Sequence, residues 1–326
     1  MNTFKPCPEN LFFSKNNPAD IRLGELFKSI SINELNQIHK LNQKTTDHES
    51  FCILGYPDDE GIALNGGRIG AAAAPNTIRQ YLYKMTPALS QNQFFDIGNL
   101  NLEATDLTLR HQRAEESLYQ LQKNKIKTIS LGGGHDYGYP DASAFIKAHQ
   151  NSKTKPLVLN FDAHLDVRPT TSGYNSGTAF YRLLNEYENQ FDFAEIGIQP
   201  QCNSVNHREW ALSKKAHIFN LKDIQSGEGL LSLFDHMLFS TLKKSTPVFI
   251  SFDIDGLTST EAPGCSQSWV TGLKTENFLN FMTTLSKRCD IKGLGIYEVS
   301  PPLDLNNQTS KTAALIAYYY LFLGFL

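Results

Sequence analysis

No excess of either charge marks this 326-residue chain: 30 Lys and Arg stand against 33 Asp and Glu, giving a net charge of -3 and a pI near 6.3. That excludes the broad basic field on which nucleic-acid binding relies, and it points to a small-molecule partner instead. Cysteine is sparse. The five that occur, Cys7, Cys52, Cys202, Cys265 and Cys289, are scattered and form no C-x-x-C pair, which argues against structural zinc or dithiol chemistry and suits reduced thiols in the cytoplasm. Long apolar runs are also lacking. The N-terminal stretch has no apolar core behind a basic start, so no cleaved signal peptide is expected. Residues 313–326 are almost wholly apolar, but 14 residues are too few to span a bilayer, and a buried final helix is expected rather than a membrane or subunit contact. No repeat, low-complexity tract or linker interrupts the chain, and the polar stretch 36–50 is short enough to be helix surface or loop. With 40% hydrophobic and 19% charged residues, the composition supports a packed core. One domain over residues 1–326 is expected, with 1–50 as an N-terminal extension packing on it.

What is present is alternation. Runs rich in β-branched and aromatic residues recur at 51–54, 94–97, 127–131, 157–161, 193–198, 216–219, 248–252 and 293–297, about eight candidate strands. Helical intervals such as 107–123 and 275–287 separate them. Such alternation predicts a mainly parallel sheet covered on both faces, a three-layer α/β/α sandwich with right-handed crossovers. His135, Asp162, Asp253 and Glu298 each follow one of the predicted strands. In open α/β sheets ligands lie beyond the carboxyl ends of strands, so four separated segments point at one pocket.

Asp162, His164 and Asp166, in NFDAHLDVRP, are spaced i, i+2, i+4, which places them on one side of an extended segment. Asp253 and Asp255, in ISFDIDG, repeat the i, i+2 spacing, and His135 closes SLGGGHD. Taken singly, a D-x-D or a histidine after glycines is usually a cap, turn or solvated loop, and Gly132-Gly133-Gly134 alone is a tight turn or a weak phosphate-cradle signal. The conjunction, in order and at strand ends, carries the weight. Four carboxylates gathered at one place would repel one another unless cations neutralised them, and two divalent ions supply that charge. Two imidazoles among oxygens favour Mn2+, although Zn2+, Co2+ and Ni2+ loading are chemically open. Ions about 3.5 Å apart can share a water, lower its pKa and direct it at a planar electrophilic carbon.

GGGH, D-A-H-x-D and S-x-D-x-D-G resemble the three metal-binding signatures of the ureohydrolase (arginase, agmatinase and formiminoglutamase) family, and the likeness runs from about Gly55 to Pro301, including NGGRIGAAAAPNTIR. The resemblance implies two Mn2+ per chain, with Asp162 and Asp253 bridging, His135 and Asp166 completing one shell, and His164 and Asp255 the other. It implies that Asp166 takes part in catalysis and that Glu298, in YEVSPPLD, binds a cationic amidine or guanidine group, as suits an amidinium leaving water.

Within the family, arginases and agmatinases carry a histidine in an H-G-x-P segment where this chain has Asn175-Ser176-Gly177-Thr178-Ala179-Phe180. Together with DVRP, DDEGIALNGGRIGA and GIQPQCN, this segment resembles the formiminoglutamase branch, which implies hydrolysis of N-formimino-L-glutamate to L-glutamate and formamide. Agmatinase, arginase or guanidino-acid hydrolase activity releasing urea is the alternative, and a non-catalytic binding protein on the same fold a more distant one. A serine hydroxyl at 176 has no useful pKa near 7 and can only position or relay. Asn175 and Ser176 are candidate substrate contacts. Arg168, two residues past Asp166, suits bidentate carboxylate binding, with Arg68 and Arg182 as weaker candidates. His39, His48, His111, His149, His207, His217 and His236 fit no ligand spacing and are expected on surfaces or helices. A cytoplasmic location, a homo-oligomeric assembly and no membrane partner complete the expectations.

Overall fold

The computed structural model describes residues 3–35, 37, 48–103, 105–225, 229–234 and 242–325; His39 and His236 lie outside them, as does much of the polar stretch 36–50. One sheet organises the chain. Its strands are β1 (Phe4–Lys5), β2 (Phe27–Ser29), β3 (Ser50–Gly55), β4 (Gln93–Leu100), β5 (Lys127–Leu131), β6 (Leu157–Phe161), β7 (Asp192–Ile198), β8 (His217–Asn220), β9 (Pro247–Asp253) and β10 (Asp290–Tyr297). Across the sheet they run β1-β4-β3-β5-β10-β9-β6-β7-β8, with β2 also on β4. Every pairing is parallel except β1 against β4.

The expected sandwich is therefore present, with a 10-stranded sheet among the described residues in place of about eight strands. The two additional strands, β1 and β2, have two and three residues, too few for any periodicity to register. Both draw their order from the outer edge of β4. Phe27 of β2 packs on Tyr83 and Phe94, ring centroids 4.8 and 5.3 Å away.

Central strands are buried on both sides, which is why they read as continuous apolar runs rather than as alternation. Successive side chains still point to opposite layers. Leu157, Leu159, Phe161, Ile250 and Phe252 face the core shared with α1 (Ala74–Leu82), α6 (Thr275–Arg288) and α7 (Gln308–Leu321). Val158 and Phe249 face α3 (Gly138–His149) and α4 (Ala179–Glu186), beside which α2 (Leu107–Lys123) covers β3 and β4. α5 (Val205–Ser213) follows β7. α2 begins where Asp106 accepts a hydrogen bond from Leu109 N–H, an N-cap that satisfies an otherwise orphaned donor. α7 buries Ala313, Ala314, Ile316, Ala317, Tyr320 and Leu321, as expected of a final core helix. No helix among the described residues is long and apolar enough to cross a membrane.

Strands β5, β10, β9 and β6 are consecutive neighbours, and their carboxyl ends are flush: Leu131 pairs with Ile296, Ile296 with Phe252, and Phe252 with Phe161. The residues that follow thus emerge side by side. Beneath them Phe161 and Phe252 pack on Phe278, with centroids 4.8 and 4.2 Å away. Fully burying each such ring stabilises the fold by roughly 1.5–3 kcal/mol and gives the emerging carboxylates a rigid floor.

Candidate metal centre

Asp162 follows β6 directly, Asp253 ends β9, Glu298 follows β10, and His135 opens a single 3-10 turn after β5. The glycines before His135 let two loops touch: a Cβ on Gly133 would lie 1.6 Å from the carbonyl oxygen of Asp58. Asp166 and Glu298 occupy the left-handed region, with φ of 47° and 63°, a strain of order 1–3 kcal/mol each that surrounding structure must hold. Glu298 is held twice, since its N–H donates to Gly133 O at 2.9 Å and its Oε1 accepts from His135 N–H at 3.0 Å.

All six predicted ligands converge. His135 Nδ1 lies 3.1 Å from Asp162 Oδ2, 3.0 Å from Asp166 Oδ2 and 3.2 Å from Asp253 Oδ2. His164 Nδ1 lies 3.3 Å from Asp162 Oδ1 and 3.1 Å from Asp255 Oδ2. These atoms form two adjoining donor groups, His135-Asp162-Asp166-Asp253 and Asp162-His164-Asp255, which share Asp162. Asp253 falls only in the first; its Oδ1 accepts from Asp255 N–H at 2.9 Å.

The imidazole of His135 is fixed on every side. Nε2 pairs with Ser251 Oγ at 2.8 Å, which as a donor contact leaves the Nδ1 lone pair facing the carboxylates. Tyr297 stacks on the ring at 5.0 Å and Phe180 meets its edge at 5.4 Å. Tyr297 is itself anchored, its hydroxyl donating to Asp141 Oδ2 at 2.6 Å while Tyr56 donates to Oδ1 at 2.5 Å. Burial pushes Asp141 up to about 6.

Electrostatically the protein alone is unsatisfied. Burial, and then neighbouring carboxylates, push Asp253 and Glu298 well above the ordinary carboxylate range, and Asp255 up to about 6. Asp166 is raised by burial and by Asp162. Asp162 is opposed by burial too, but the adjacent imidazoles of His135 and His164 hold it below its usual range. His135 Nδ1, Asp162 Oδ2 and Asp255 Oδ1 are buried with no hydrogen-bond partner among the described residues, although Nδ1 is within 3.2 Å of three carboxylate oxygens. Close approach without hydrogen-bond geometry, in a mixed nitrogen and oxygen donor set, fits a pair of divalent cations better than it fits protons.

Above these groups lies a cavity of about 620 Å3, lined among others by Asn65, Arg168, Ser176, His207, Trp269 and Glu298. Arg168 Nη1 donates to Asn65 Oδ1 at 2.8 Å, and Asn65 Nδ2 donates to Ser176 Oγ at 3.0 Å. Asn175 is not part of the lining; its Oδ1 accepts from Gly177 N–H at 3.0 Å and caps the turn carrying Ser176. Arg68 is spent on Ser266 O and Cys265 O, both at 3.0 Å. Arg182 lies outside the lining, between two tyrosine rings. Among the remaining histidines, His48 is exposed, His111 is buried in α2, His149 ends α3 and His217 opens β8. His207, on α5, instead reaches the cavity. Neither it nor Asn65 carries a signal in sequence, because Asn65 meets its partner Ser176 across 111 residues.

Residues 49–323 match the profile of the arginase family. The chain belongs to the arginase family. A formimidoylglutamase of Halalkalibacterium halodurans is 30% identical over 284 residues, 84% of this chain and 86% of that protein. The crystal structure of formimidoylglutamase from Bacillus subtilis is similar at a TM-score of 0.80 with 26% identity, covering 96% of this chain and 95% of the other. A Trypanosoma cruzi formiminoglutamase solved with Mn2+ reaches 0.78 at 26% identity over 94% and 98% of the two chains. In the arginase family setting the sheet, the flush strand ends and the two donor groups of this chain have a common explanation.

Proposed function

We propose that the chain is a cytoplasmic formimidoylglutamase that hydrolyses the amidine C–N bond of N-formimino-L-glutamate to give L-glutamate and formamide, with two Mn2+ as cofactor. The observation that carries this reading is the shared carboxylate: Asp162 belongs to both donor groups, and its two oxygens face a different imidazole each. His135, Asp166 and Asp253 would hold one ion with Asp162, and His164 and Asp255 the other. Two bound divalent ions activate a water for attack on an amidine carbon and stabilise the charge that develops.

The chain's own residues have definable tasks. Glu298 has one oxygen tied to His135 N–H, which leaves the other to accept from the amidinium and orient its carbon over the donor groups. Ser176 Oγ already accepts from Asn65, so its hydrogen is free to be donated into the cavity. A hydroxyl in that state positions substrate and does not act as a general acid, so Asp166, beside His135, is the nearer group for moving a proton. Arg168, exposed at the rim with one Nη tied to Asn65, offers its remaining donors to a substrate carboxylate. Formiminoglutamate has two carboxylates, agmatine none. A homo-oligomer of this small-molecule enzyme is part of the same proposal. The test is to incubate Mn2+-loaded protein with formiminoglutamate, arginine, agmatine and guanidinobutyrate and to assay formamide, ammonia and urea separately. Formamide from formiminoglutamate is expected; urea as the main product would refute the reading.

A further inference from the structure

The cavity wall that carries Arg168 and Ser176 is an excursion of the chain whose ends are closed by backbone bonds, Arg168 N–H to Gly177 O at 2.8 Å and Phe180 N–H to Asp166 O at 3.0 Å. Between those closures the tip, residues 169–174, makes no side-chain hydrogen bond or ion pair with the rest of the chain among the described residues. It is held instead by Tyr174. The ring of Tyr174 lies 3.7 Å from the guanidinium carbon of Arg182, whose opposite face is covered by Tyr139 at 3.5 Å. Arg182 Nη1 also donates to His111 Nδ1 at 3.1 Å, and the other ring nitrogen of His111 meets Asp136 Oδ2 at 2.7 Å. Tyr139 is on α3, Arg182 on α4, and Asp136 follows His135. The cation is thus fixed from the core side by two buried partners, Tyr139 and His111, and presents one free face to the loop.

We propose that the Tyr139-Arg182-Tyr174 stack is a clamp that positions the 168–177 loop, so that Arg182 and Tyr174 are positioning residues for substrate binding without touching the substrate. The consequence for substrate rests on the reading that Arg168 and Ser176 contact it. A guanidinium pressed between two rings is directional, because the planar cation must lie flat on both faces. It therefore sets where the loop tip sits as well as how firmly. It also ties the substrate-facing wall to the turn that bears His135, placing wall and metal donors in one frame.

The test uses the full chain loaded with Mn2+, comparing Tyr174→Ala with Tyr174→Phe. Amides of Arg168, Gly173, Gly177 and Thr178 all donate within the loop, so their hydrogen exchange reads loop opening directly. Removing one stacked ring is expected to speed that exchange by about 3- to 30-fold. The phenylalanine variant retains the ring face and is expected to exchange as wild type does. Arg182→Lys should fall between, since a lysine keeps the charge but not the flat stack. In steady state Tyr174→Ala should raise KM for formiminoglutamate while kcat and Mn2+ content are unchanged, a split that general destabilisation would not produce. Unchanged exchange in Tyr174→Ala overturns the clamp. Faster exchange with unchanged KM, when Arg168→Ala does raise KM, overturns the positioning role. If neither variant moves KM while exchange is faster in Tyr174→Ala, the clamp stands and the assignment of Arg168 and Ser176 to substrate fails.

Discussion

Asp255→Asn should make the metal-free protein more stable while removing about half of the stability that Mn2+ adds. In the metal-free fold Asp255 is buried, and burial followed by the nearby carboxylate Asp162 pushes it from 3.8 up to about 6 despite the favourable charge of His164. A group whose folded pKa is raised contributes stability at low pH and loses it as pH rises through the folded value. At pH 7.5 the ionised carboxylate therefore penalises the metal-free fold by about 3 kcal/mol, from roughly two units at 1.36 kcal/mol each. Asparagine removes that charge and can still pair with His164, so the melting temperature of metal-free protein should rise by about 5 °C. Mn2+ closes the gap. A site filled at a hundred times its dissociation constant adds about 2.7 kcal/mol, and the variant leaves the second donor group with only Asp162 and His164. The Mn2+-induced rise in melting temperature should fall to about half that of wild type, with one ion retained per chain. Calorimetry on chelator-treated and reloaded protein at pH 7.5, with metal analysis alongside, checks both arms. A metal-free Asp255→Asn protein no more stable than metal-free wild type would refute the claim that these carboxylates are held together at an electrostatic cost that cations relieve.

Three further outcomes are expected. Ser251→Ala removes the partner of His135 Nε2 and should weaken Mn2+ binding by about 10- to 100-fold in a calorimetric titration; unchanged affinity would mean that the aromatic slot alone orients the ring. Arg168→Ala should raise KM for formiminoglutamate at a cost of about 1.5–3 kcal/mol in kcat/KM, with metal content unchanged and lysine recovering only part; an unchanged KM would remove Arg168 from substrate recognition. Burial lowers His149 to about 4, so its neutral ring favours the fold above pH 6.5 and that contribution is lost as pH falls toward 4. His149→Gln should therefore gain on wild type by about 1–2 kcal/mol between pH 7 and pH 5 in denaturant titrations, and a constant gap would show that the ring titrates as it does in the unfolded chain.

The chemistry of the centre was legible in the chain because its groups are local. The i, i+2, i+4 spacing of Asp162, His164 and Asp166 and the Asp253, Asp255 pair lie within single short segments, and period-two geometry alone puts each set on one side. Layering was legible for the same reason, since buried parallel strands write continuous apolar runs. Strand order was not. That β5, β10, β9 and β6 are adjacent and end together depends on pairings between residues far apart in the chain, and no window of sequence encodes them. Tertiary structure also settled which oxygens of Asp162 face which imidazole, and left Asp253 in one donor group only. It turned Asn175 into a cap and Arg182 into the centre of a tyrosine stack, because a side chain's task depends on what the fold brings against it. Residue type and spacing determine what a segment can do chemically; long-range packing alone decides which segments meet.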